Sequence, residues 1–560
     1  MAKHPVLSGD DDYYNLGTYA RTVSTNSQHA QKWFNRGLVW SYGFNHEESV
    51  ECFKQAIAHD SDFALAYWGL AYALGPNYNK PWGFFDAEEL QGMLATTHKA
   101  VQDAREKSSK ASKLERALIA ALEYRYPQSQ PLEDCSIWNS AYADAMATVY
   151  RDFPDDLDVA ALYADALMNL TPWQLWDLTT GLPAKAARTL EAKEILDRAL
   201  AQEGGLRHPG LLHLYIHFWE MSATPEKAVQ VADHLRGLVP DAGHLEHMPS
   251  HLDILCGDYR RAIASNMDAI RADEKFVKRR GPSNFYTLYR AHDYHFRIYA
   301  SMFAGQSAVA LETIAWLEQS VPEDLLRVKS PPMADWLEGI IAMRVHVLVR
   351  FGRWQEIIEM EFPADQGLYC VTTALLLYGK GIAFAVLGNV DAAEEQLCSF
   401  RDKVKQVPST RMLFNNSCLD ILAVADKMLA GELEYRRGAY DSAFEKLRES
   451  IALVDALPYD EPWGWMQPPR HAYGALLLEQ GHVDEAAAVY GADLGIDETL
   501  PRPHRHPNNV WALHGLHECL LRLGRTSEAT ILKPQLTLAL AAADVPIKAS
   551  CYCRKVFASN

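Results

Sequence analysis

Long apolar runs are missing from this chain of 560 residues. No stretch of about 18 or more apolar residues occurs, which excludes an ordinary membrane-spanning helix. The opening residues, Met-Ala-Lys-His-Pro-Val-Leu-Ser-Gly-Asp-Asp-Asp, contain no apolar core segment, so we expect no signal peptide. Positive charge is also scarce, since the formal net charge is −18. Phosphate groups are bound by clustered lysine and arginine, so we expect neither a nucleic acid nor an anionic membrane as a partner.

Cysteine is sparse as well. The nine cysteines are scattered and odd in number, which favours free thiols in a reducing, cytoplasmic setting over a disulfide framework. Only Cys551 and Cys553 lie close together, in Ser-Cys-Tyr-Cys-Arg-Lys. We interpret them as two free thiols in a tail, with a redox or metal-binding role as the alternative.

A helical repeat is what the chain does contain. Residues 33–61 place Trp33, Gly37 and Trp40 ahead of Phe53 and Ala56. This order of aromatic and small residues resembles the tetratricopeptide repeat (TPR), which has a period of about 34 residues. A glycine that opens a turn ahead of an amphipathic helix recurs along the chain, and in all but one case (Gly352) an alanine lies in the first turn of that helix. These glycines are Gly257, Gly352, Gly388, Gly438, Gly481 and Gly524.

These patterns predict an all-α protein, a right-handed α-solenoid of about ten or eleven TPR-like helical hairpins. Strand-like alternation is nearly absent. The predicted segments are an N-terminal extension, N-terminal repeats, central histidine-rich repeats, C-terminal repeats and a C-terminal tail, at residues 1–29, 30–152, 153–320, 321–540 and 541–560.

Histidines form three short clusters in the central repeats. The clusters are His213, His217 and Glu220; His244, His247 and His251; and His292 and His295. Each cluster lies on one face of a helix, since a helix turns about 100° per residue. The spacings are i, i+4, i+7 in the first cluster, i, i+3, i+7 in the second and i, i+3 in the third.

Repeat numbering aligns the three clusters. If repeats begin at Pro209, Gly243 and Ala291, all eight side chains take equivalent positions on the first helix of a hairpin. In TPR proteins this face lines the concave groove and successive first helices are neighbours, so the resemblance implies that the clusters converge.

Convergent imidazoles predict a transition-metal site. We expect six of these residues to be ligands and Glu220 and His244 to be catalytic acid–base groups, with Glu220 alternatively a ligand. Six imidazoles exceed what one tetrahedral zinc takes, so they could hold a dinuclear site, or one metal with acid–base histidines beside it. Copper is the first choice, with iron or zinc as alternatives, because nitrogen-rich ligation suits all three. An iron site of two histidines and one carboxylate can also be drawn from His217, Glu220 and His247. The six expected ligands are His213, His217, His247, His251, His292 and His295.

Four further residues are candidates for binding a substrate. Tyr163 lies on a helix one repeat before the first cluster, Trp173 and Trp176 follow it in an aromatic loop, and Arg470 could receive a carboxylate. His46 and Glu47 are weaker candidates, because His46 takes a packing position of its repeat.

Several strings resemble a family of long TPR-containing proteins. They are Phe-Asn-His-Glu-Glu at 44–48, Ala-Tyr-Trp-Gly-Leu-Ala-Tyr-Ala-Leu-Gly-Pro-Asn at 66–77, His-x-Tyr-Ile-His-x2-Glu at 213–220 and, most specifically, Gly-His-x2-His-Met-Pro-Ser-His at 243–251. This resemblance implies the fold and the position of a site, and it implies no particular reaction.

The function predicted is that of a metal-dependent oxidoreductase of the oxidase or oxygenase type, acting on a small organic molecule in the groove, for example in secondary metabolism. A metal-dependent hydrolase is one alternative, in which a zinc-bound water attacks an acyl carbon. A non-catalytic adaptor that grips a peptide is the other. The sequence indicates no oligomeric state.

Overall fold

A computed structural model describes residues 13–554. The opening segment that predicts the absence of a signal peptide, and residues 555–560 of the predicted tail, lie outside the described residues. Contacts divide the described residues into two compact units: unit 1 comprises residues 13–252 and 268–286, and unit 2 comprises residues 253–267 and 287–554. The five segments predicted from the sequence remain a prediction.

Unit 1 is built from helices, most of which pack against their neighbours in chain order. Short 3-10 helices lie at Trp82–Phe84, Ser108–Lys110, Gly205–Arg207 and Pro225–Ala228. The α-helices are α1 (Gln28–Tyr42), α2 (His46–His59), α3 (Ala64–Leu74), α4 (Ala87–Lys107), α5 (Lys113–Leu122), α6 (Ile137–Asp152), α7 (Leu157–Met168), α8 (Thr189–Leu200), α9 (Pro209–Glu220), α10 (Val229–Asp233) and α11 (Gly243–His247).

Two helices, α12 (Pro249–Leu255) and α13 (Tyr259–Arg280), contribute residues to both units. Unit 2 continues with the same kind of helical pairs. Its α-helices are α14 (Thr287–Phe303), α15 (Ser307–Ser320), α16 (Glu323–Leu326), α17 (Met333–Ile341), α18 (Met343–Arg350), α19 (Trp354–Glu359), α20 (Cys370–Val386), α21 (Val390–Val404), α22 (Cys418–Arg436), α23 (Tyr440–Asp455), α24 (Pro469–Glu479), α25 (Val483–Leu494), α26 (Val510–Arg522) and α27 (Thr526–Ala542).

Strands in residues 13–554 are limited to one small hairpin and two isolated bridges. In the hairpin β1 (Met412–Leu413) pairs antiparallel with β2 (Asn416–Ser417), and a 3-10 helix lies at Arg502–His504. In unit 2, α20 packs against both α21 and α22, α22 against α23, and α24 against both α25 and α26. Packing of each first helix on its partner and on the next first helix is the arrangement of a helical-repeat stack. The predicted all-α solenoid is therefore confirmed.

Local chemistry explains where these helices begin and end. Ser27 and Asn45 accept hydrogen bonds from Ala30 N and Glu48 N and so cap α1 and α2. The turn glycines predicted from the sequence have φ between 64° and 90°, a backbone conformation that side chains with a Cβ rarely adopt. They are Gly257, Gly352, Gly388, Gly438, Gly481 and Gly524.

Two details differ from the sequence-based expectation. The helix expected to carry the second histidine cluster is interrupted at Met248, because Pro249 has no N–H and its ring crowds the preceding turn. Cys551 and Cys553, expected as free thiols, are joined in a disulfide. The other seven cysteines are free, as expected.

Candidate metal centre

The first two histidine clusters come together inside unit 1. We call His213, His217 and His244 the imidazole triad; one ring nitrogen from each lies within 4.8 Å of the others. The first two project from α9 and the third from α11. Each of these side chains is at most 1% exposed. Three nitrogen ligands at such separations can bind one transition metal.

Hydrogen bonds fix the tautomer of His213. Its Nδ1 lies 2.5 Å from the carbonyl oxygen of Tyr42, which can only accept, so Nδ1 carries the proton. In the neutral ring the lone pair is then on Nε2. This Nε2 is buried and has no hydrogen-bond partner among the described residues. It is therefore available to bind a metal.

Glu220 orients two rings rather than one. Its Oε1 lies 2.8 Å from Nδ1 of His217, and its Oε2 lies 2.6 Å from Nδ1 of His251. Because the carboxylate accepts a hydrogen bond from each Nδ1–H, the lone pair of each ring is on Nε2, where it can accept a hydrogen bond or bind a metal. Nε2 of His217 is buried without a hydrogen-bond partner among residues 13–554. Nε2 of His251 lies 2.7 Å from Nε2 of His247, so His247 donates that hydrogen bond.

Burial keeps the rings of His213 and His217 neutral. The pKa of His213 and that of His217 are held well below the ordinary value, first by burial and then by neighbouring imidazoles. The pKa of Glu220 is raised, again chiefly by burial. Neutral imidazoles need lose no proton before they bind a metal.

Aromatic rings enclose the triad. The Phe44 ring lies 4.4 Å from that of His213, and the Tyr78 and Trp173 rings lie 5.0 and 5.6 Å from that of His217. Phe44 and Trp173 have φ of 54° and 59°. Positive φ is strained for bulky residues and concentrates at functional sites. Sequence reasoning proposed Trp173 but assigned no role to Phe44 or Tyr78, because neither has a motif of its own.

The third cluster lies in unit 2. His292 and His295 project from α14, and Phe414, at the tip of the β1–β2 hairpin, packs its ring 4.8 and 6.0 Å from theirs. Phe414 also has a positive φ, 49°. Nε2 of His295 lies 2.8 Å from Sδ of Met466, a residue that the sequence did not single out.

The remaining candidates are engaged with other groups. The Trp176 indole N–H donates to the carbonyl of Phe218 at 2.7 Å, and the Tyr163 hydroxyl donates to Glu191. Both terminal nitrogens of Arg470 pair with the Asp455 carboxylate, at 2.7 and 2.6 Å.

His46 and Glu47 face other parts of unit 1. Nδ1 of His46 donates to the carbonyl of Ala73 at 2.7 Å, and burial lowers the pKa of His46 to about 4. The Glu47 carboxylate accepts from Tyr286 N at 3.3 Å, and its pKa is raised by burial.

Comparison with known proteins adds little. No family model matches the chain, and no curated protein matches it. It is similar to the crystal structure of the APC/C hetero-tetramer Cut9-Hcn1, with 14% identity, 88% of this chain and 76% of that chain covered, and a TM-score of 0.31. It is also similar to the structure of Naa15/Naa10 bound to HypK-THB, with 14% identity, 92% of this chain and 70% of that chain covered, and a TM-score of 0.21. A third similar structure is yeast Tom70, with 12% identity, 92% of this chain and 96% of that chain covered, and a TM-score of 0.29. All three TM-scores are low, so the fold is assigned from the packing of the helices.

Among the described residues, no helix combines the length and apolar character needed to cross a membrane.

Proposed function

We propose that this protein is a transition-metal-dependent enzyme whose metal is bound by the imidazole triad of unit 1. One observation carries the proposal. Nε2 of His213 and Nε2 of His217 are buried, unprotonated when Nδ1 donates, and without a hydrogen bond to any described residue. A buried polar atom without a partner costs on the order of 1–3 kcal/mol, and a metal ion would remove that cost.

Glu220 has a supporting role in this proposal. Histidine ligands commonly donate their second N–H to a carboxylate, which fixes the ring and makes the ligating nitrogen more basic. Both oxygens of Glu220 lie against imidazole Nδ1 atoms, so the geometry favours an all-imidazole ligand set over the iron set of His217, Glu220 and His247. Among the expected acid–base groups, Glu220 becomes a positioning residue and His244 a ligand.

The reaction class follows from the ligands. Three imidazoles leave a coordination position open, which is the arrangement of catalytic rather than structural sites. Imidazole ligands suit copper, zinc and iron, and affinity favours copper. We therefore propose an oxidase or oxygenase acting on a small organic molecule. A zinc hydrolase is the variant with the same ligands.

Metal analysis tests the proposal. Protein purified without a polyhistidine tag should contain copper, iron or zinc bound at the triad, and His217→Ala should contain one equivalent less, because one of three ligands is gone. His234→Ala, on an exposed residue of the same unit, is the control and should retain the metal. A folded wild-type protein that binds none of these three ions when they are supplied would refute the site.

A second measurement separates the reaction classes. A copper or iron protein should show an optical or paramagnetic signal and consume dioxygen with substrate. A colourless zinc protein that hydrolyses model esters without consuming dioxygen would instead support the hydrolase.

A non-catalytic adaptor is the second candidate, and a different feature favours it. An open cleft of about 490 Å³ between α5 and α6 is lined largely by alanines, among them Ala117, Ala120 and Ala145. Small side chains leave room for apolar groups of a peptide. Ala120→Arg should abolish peptide binding there, while Ala58→Arg, at an exposed position of α2 in the same unit, should not. Equal binding by both variants would exclude this cleft.

A further inference from the structure

His295 and Met466 make an unusually close contact inside unit 2. Nε2 of His295 lies 2.8 Å from Sδ of Met466, and both side chains are 0% exposed. An ordinary N–H···O hydrogen bond is about 2.9–3.0 Å long, and sulfur is a larger atom than oxygen. The nitrogen and the sulfur therefore approach more closely than a weak hydrogen bond to a thioether requires.

Buried nitrogens without partners lie in the same part of unit 2. Neither ring nitrogen of His346 has a hydrogen-bond partner within the described part of the chain, and the same holds for Nδ1 of His295. His346 is 0% exposed, and its ring lies 4.7 Å from that of Trp465, the residue before Met466. Most buried polar atoms in proteins are paired, so this group of unpaired nitrogens needs an explanation.

Electrostatics shows that the two imidazoles are neutral. Burial first, and the nearby His346 second, lower the pKa of His295 to about 3. Burial alone lowers the pKa of His346 to about 3. At neutral pH both rings therefore offer a lone pair, with no proton to displace.

Phe414 adds a strained backbone to this group. Its ring is stacked over that of His295, with an interplanar angle of 16°, and its φ is 49°. In unit 1 Phe44, with φ of 54°, packs in the same way against the imidazole triad. A strained aromatic residue against buried imidazoles thus occurs in each unit.

We propose that His295, Met466 and His346 form a second metal site, specific for copper(I). A thioether is a soft ligand that selects copper(I), whereas zinc and iron(II) take imidazole, thiolate and carboxylate ligands. Nitrogen and sulfur atoms bound to one metal at about 2.0 and 2.3 Å lie about 3.5 Å apart at a tetrahedral angle. Nε2 of His295 and Sδ of Met466, at 2.8 Å, therefore need to separate by only about 0.7 Å to bind one copper(I). The site lies wholly in unit 2 and does not depend on the function proposed for unit 1.

Copper(I) binding tests the inference. Untagged full-length protein carrying His213→Ala and His217→Ala, which disable the triad, is titrated anaerobically with copper(I) against the chelator bicinchoninate. One equivalent should still bind, and its X-ray absorption spectrum should show sulfur at about 2.3 Å. If copper(I) still binds in this variant, the site in unit 2 exists whether or not the triad binds a metal, so the two proposals can fail independently.

Conservative variants complete the test. Met466→Leu in the same background should weaken copper(I) binding at least tenfold (roughly 1.4 kcal/mol), because it removes the sulfur at similar volume. Met302→Leu, on an equally buried methionine of α14, is the matched control and should bind as the background protein does. Unchanged binding by Met466→Leu, or a copper spectrum without sulfur, would overturn the proposal. Unfolding curves and circular dichroism establish that each variant is folded.

Discussion

A single aromatic ring explains two glycines of the first repeat. Phe53, on α2, packs between Gly37 of α1 and Gly69 of α3. A Cβ on Gly37 would lie 2.9 Å from this ring, and a Cβ on Gly69 would lie closer still. The close approach of three helices therefore depends on the missing side chains.

Gly69→Ala should lower the free energy of unfolding by about 1–3 kcal/mol, the usual cost of overpacking. Denaturant unfolding measures this, and adding Phe53→Leu should recover part of the loss. Gly92→Ala is the control: Gly92 lies within α4, and a Cβ there would meet nothing within 4 Å, so this change should be neutral or stabilise by up to about 1 kcal/mol. Equal losses in the two alanine variants would contradict the packing argument.

His46 makes stability depend on pH. Its pKa is about 4 in the folded chain, lowered first by burial and further by Arg125 and Lys80, against 6.5 for a free imidazole. Between these values the unfolded chain binds a proton that folded His46 does not, so stability falls as the pH drops from about 6.5 to about 4.

His46→Gln removes this contribution. As the pH falls from 7 to 4.5, wild type should lose on the order of 2 kcal/mol more stability than the variant, since one pKa unit is worth about 1.4 kcal/mol. Chemical denaturation at both pH values measures the change. His234→Gln, on an exposed histidine, should leave the pH dependence as it is, and a parallel response of the two variants would argue against burial as the cause.

For single residues, the sequence predicted part of the geometry of the candidate metal centre. Helical spacing was enough to place His213, His217 and Glu220 on one face of α9, because it depends only on local geometry. The Phe44 ring and the Met466 sulfur come from distant segments and carry no spacing signal, so only tertiary structure identifies them.

Among the elements, the second histidine helix shows what local patterns miss. Positions 244, 247 and 251 fit one helix face, yet the chain changes from α11 to α12 at Met248. Pro249 was visible in the sequence, but whether a proline bends or interrupts a helix depends on how the flanking turns are packed. The break places His251 on a separate helix, where its Nδ1 meets Glu220.

The C-terminal segment is held in place by a helix cap. After α27, Asp544 accepts hydrogen bonds from the backbone N–H groups of Ser307 and Ala308, at 2.7 and 2.8 Å, and so caps α15. Arg554 also pairs with Glu518, at 2.7 and 2.8 Å. These contacts tie residues 544–554 to unit 2 without help from the Cys551–Cys553 disulfide.

Asp544→Ala should cost about 1 kcal/mol of stability and expose residues 544–554 to protease, because two N–H groups lose their acceptor at a helix N-terminus. Limited proteolysis with mass spectrometry detects the release. Reduction of the disulfide in the wild-type protein should change neither quantity much, because a disulfide across one intervening residue closes a very short loop. If residues 544–554 were released by reduction of the disulfide but not by Asp544→Ala, the disulfide rather than the helix cap would hold this segment.

For the whole molecule, the repeat pattern predicted the all-α solenoid, but it carries no information on the division into two compact units. Each turn glycine marks a hairpin locally, and a chain of such hairpins can only stack. The division depends on which hairpins make the most contacts with each other, and α13 has residues in both units. Equivalent repeats have similar local sequences, so the repeat pattern does not show where one unit ends and the other begins.

Metal binding should therefore stabilise the molecule unevenly. Zinc added to about 100 times its dissociation constant should stabilise the folded triad by about 2.7 kcal/mol. Hydrogen exchange in α9 and α11, which carry the triad, should slow, whereas exchange in α26 and α27 of unit 2 should not change, because local opening there leaves the triad intact. Zinc is the appropriate probe because a thioether does not favour it, so the His295–Met466 site should remain unaffected. In His217→Ala, zinc should no longer slow hydrogen exchange in α9. Zinc would be bound elsewhere if exchange slowed evenly over both units, or if exchange in α9 still slowed in this variant.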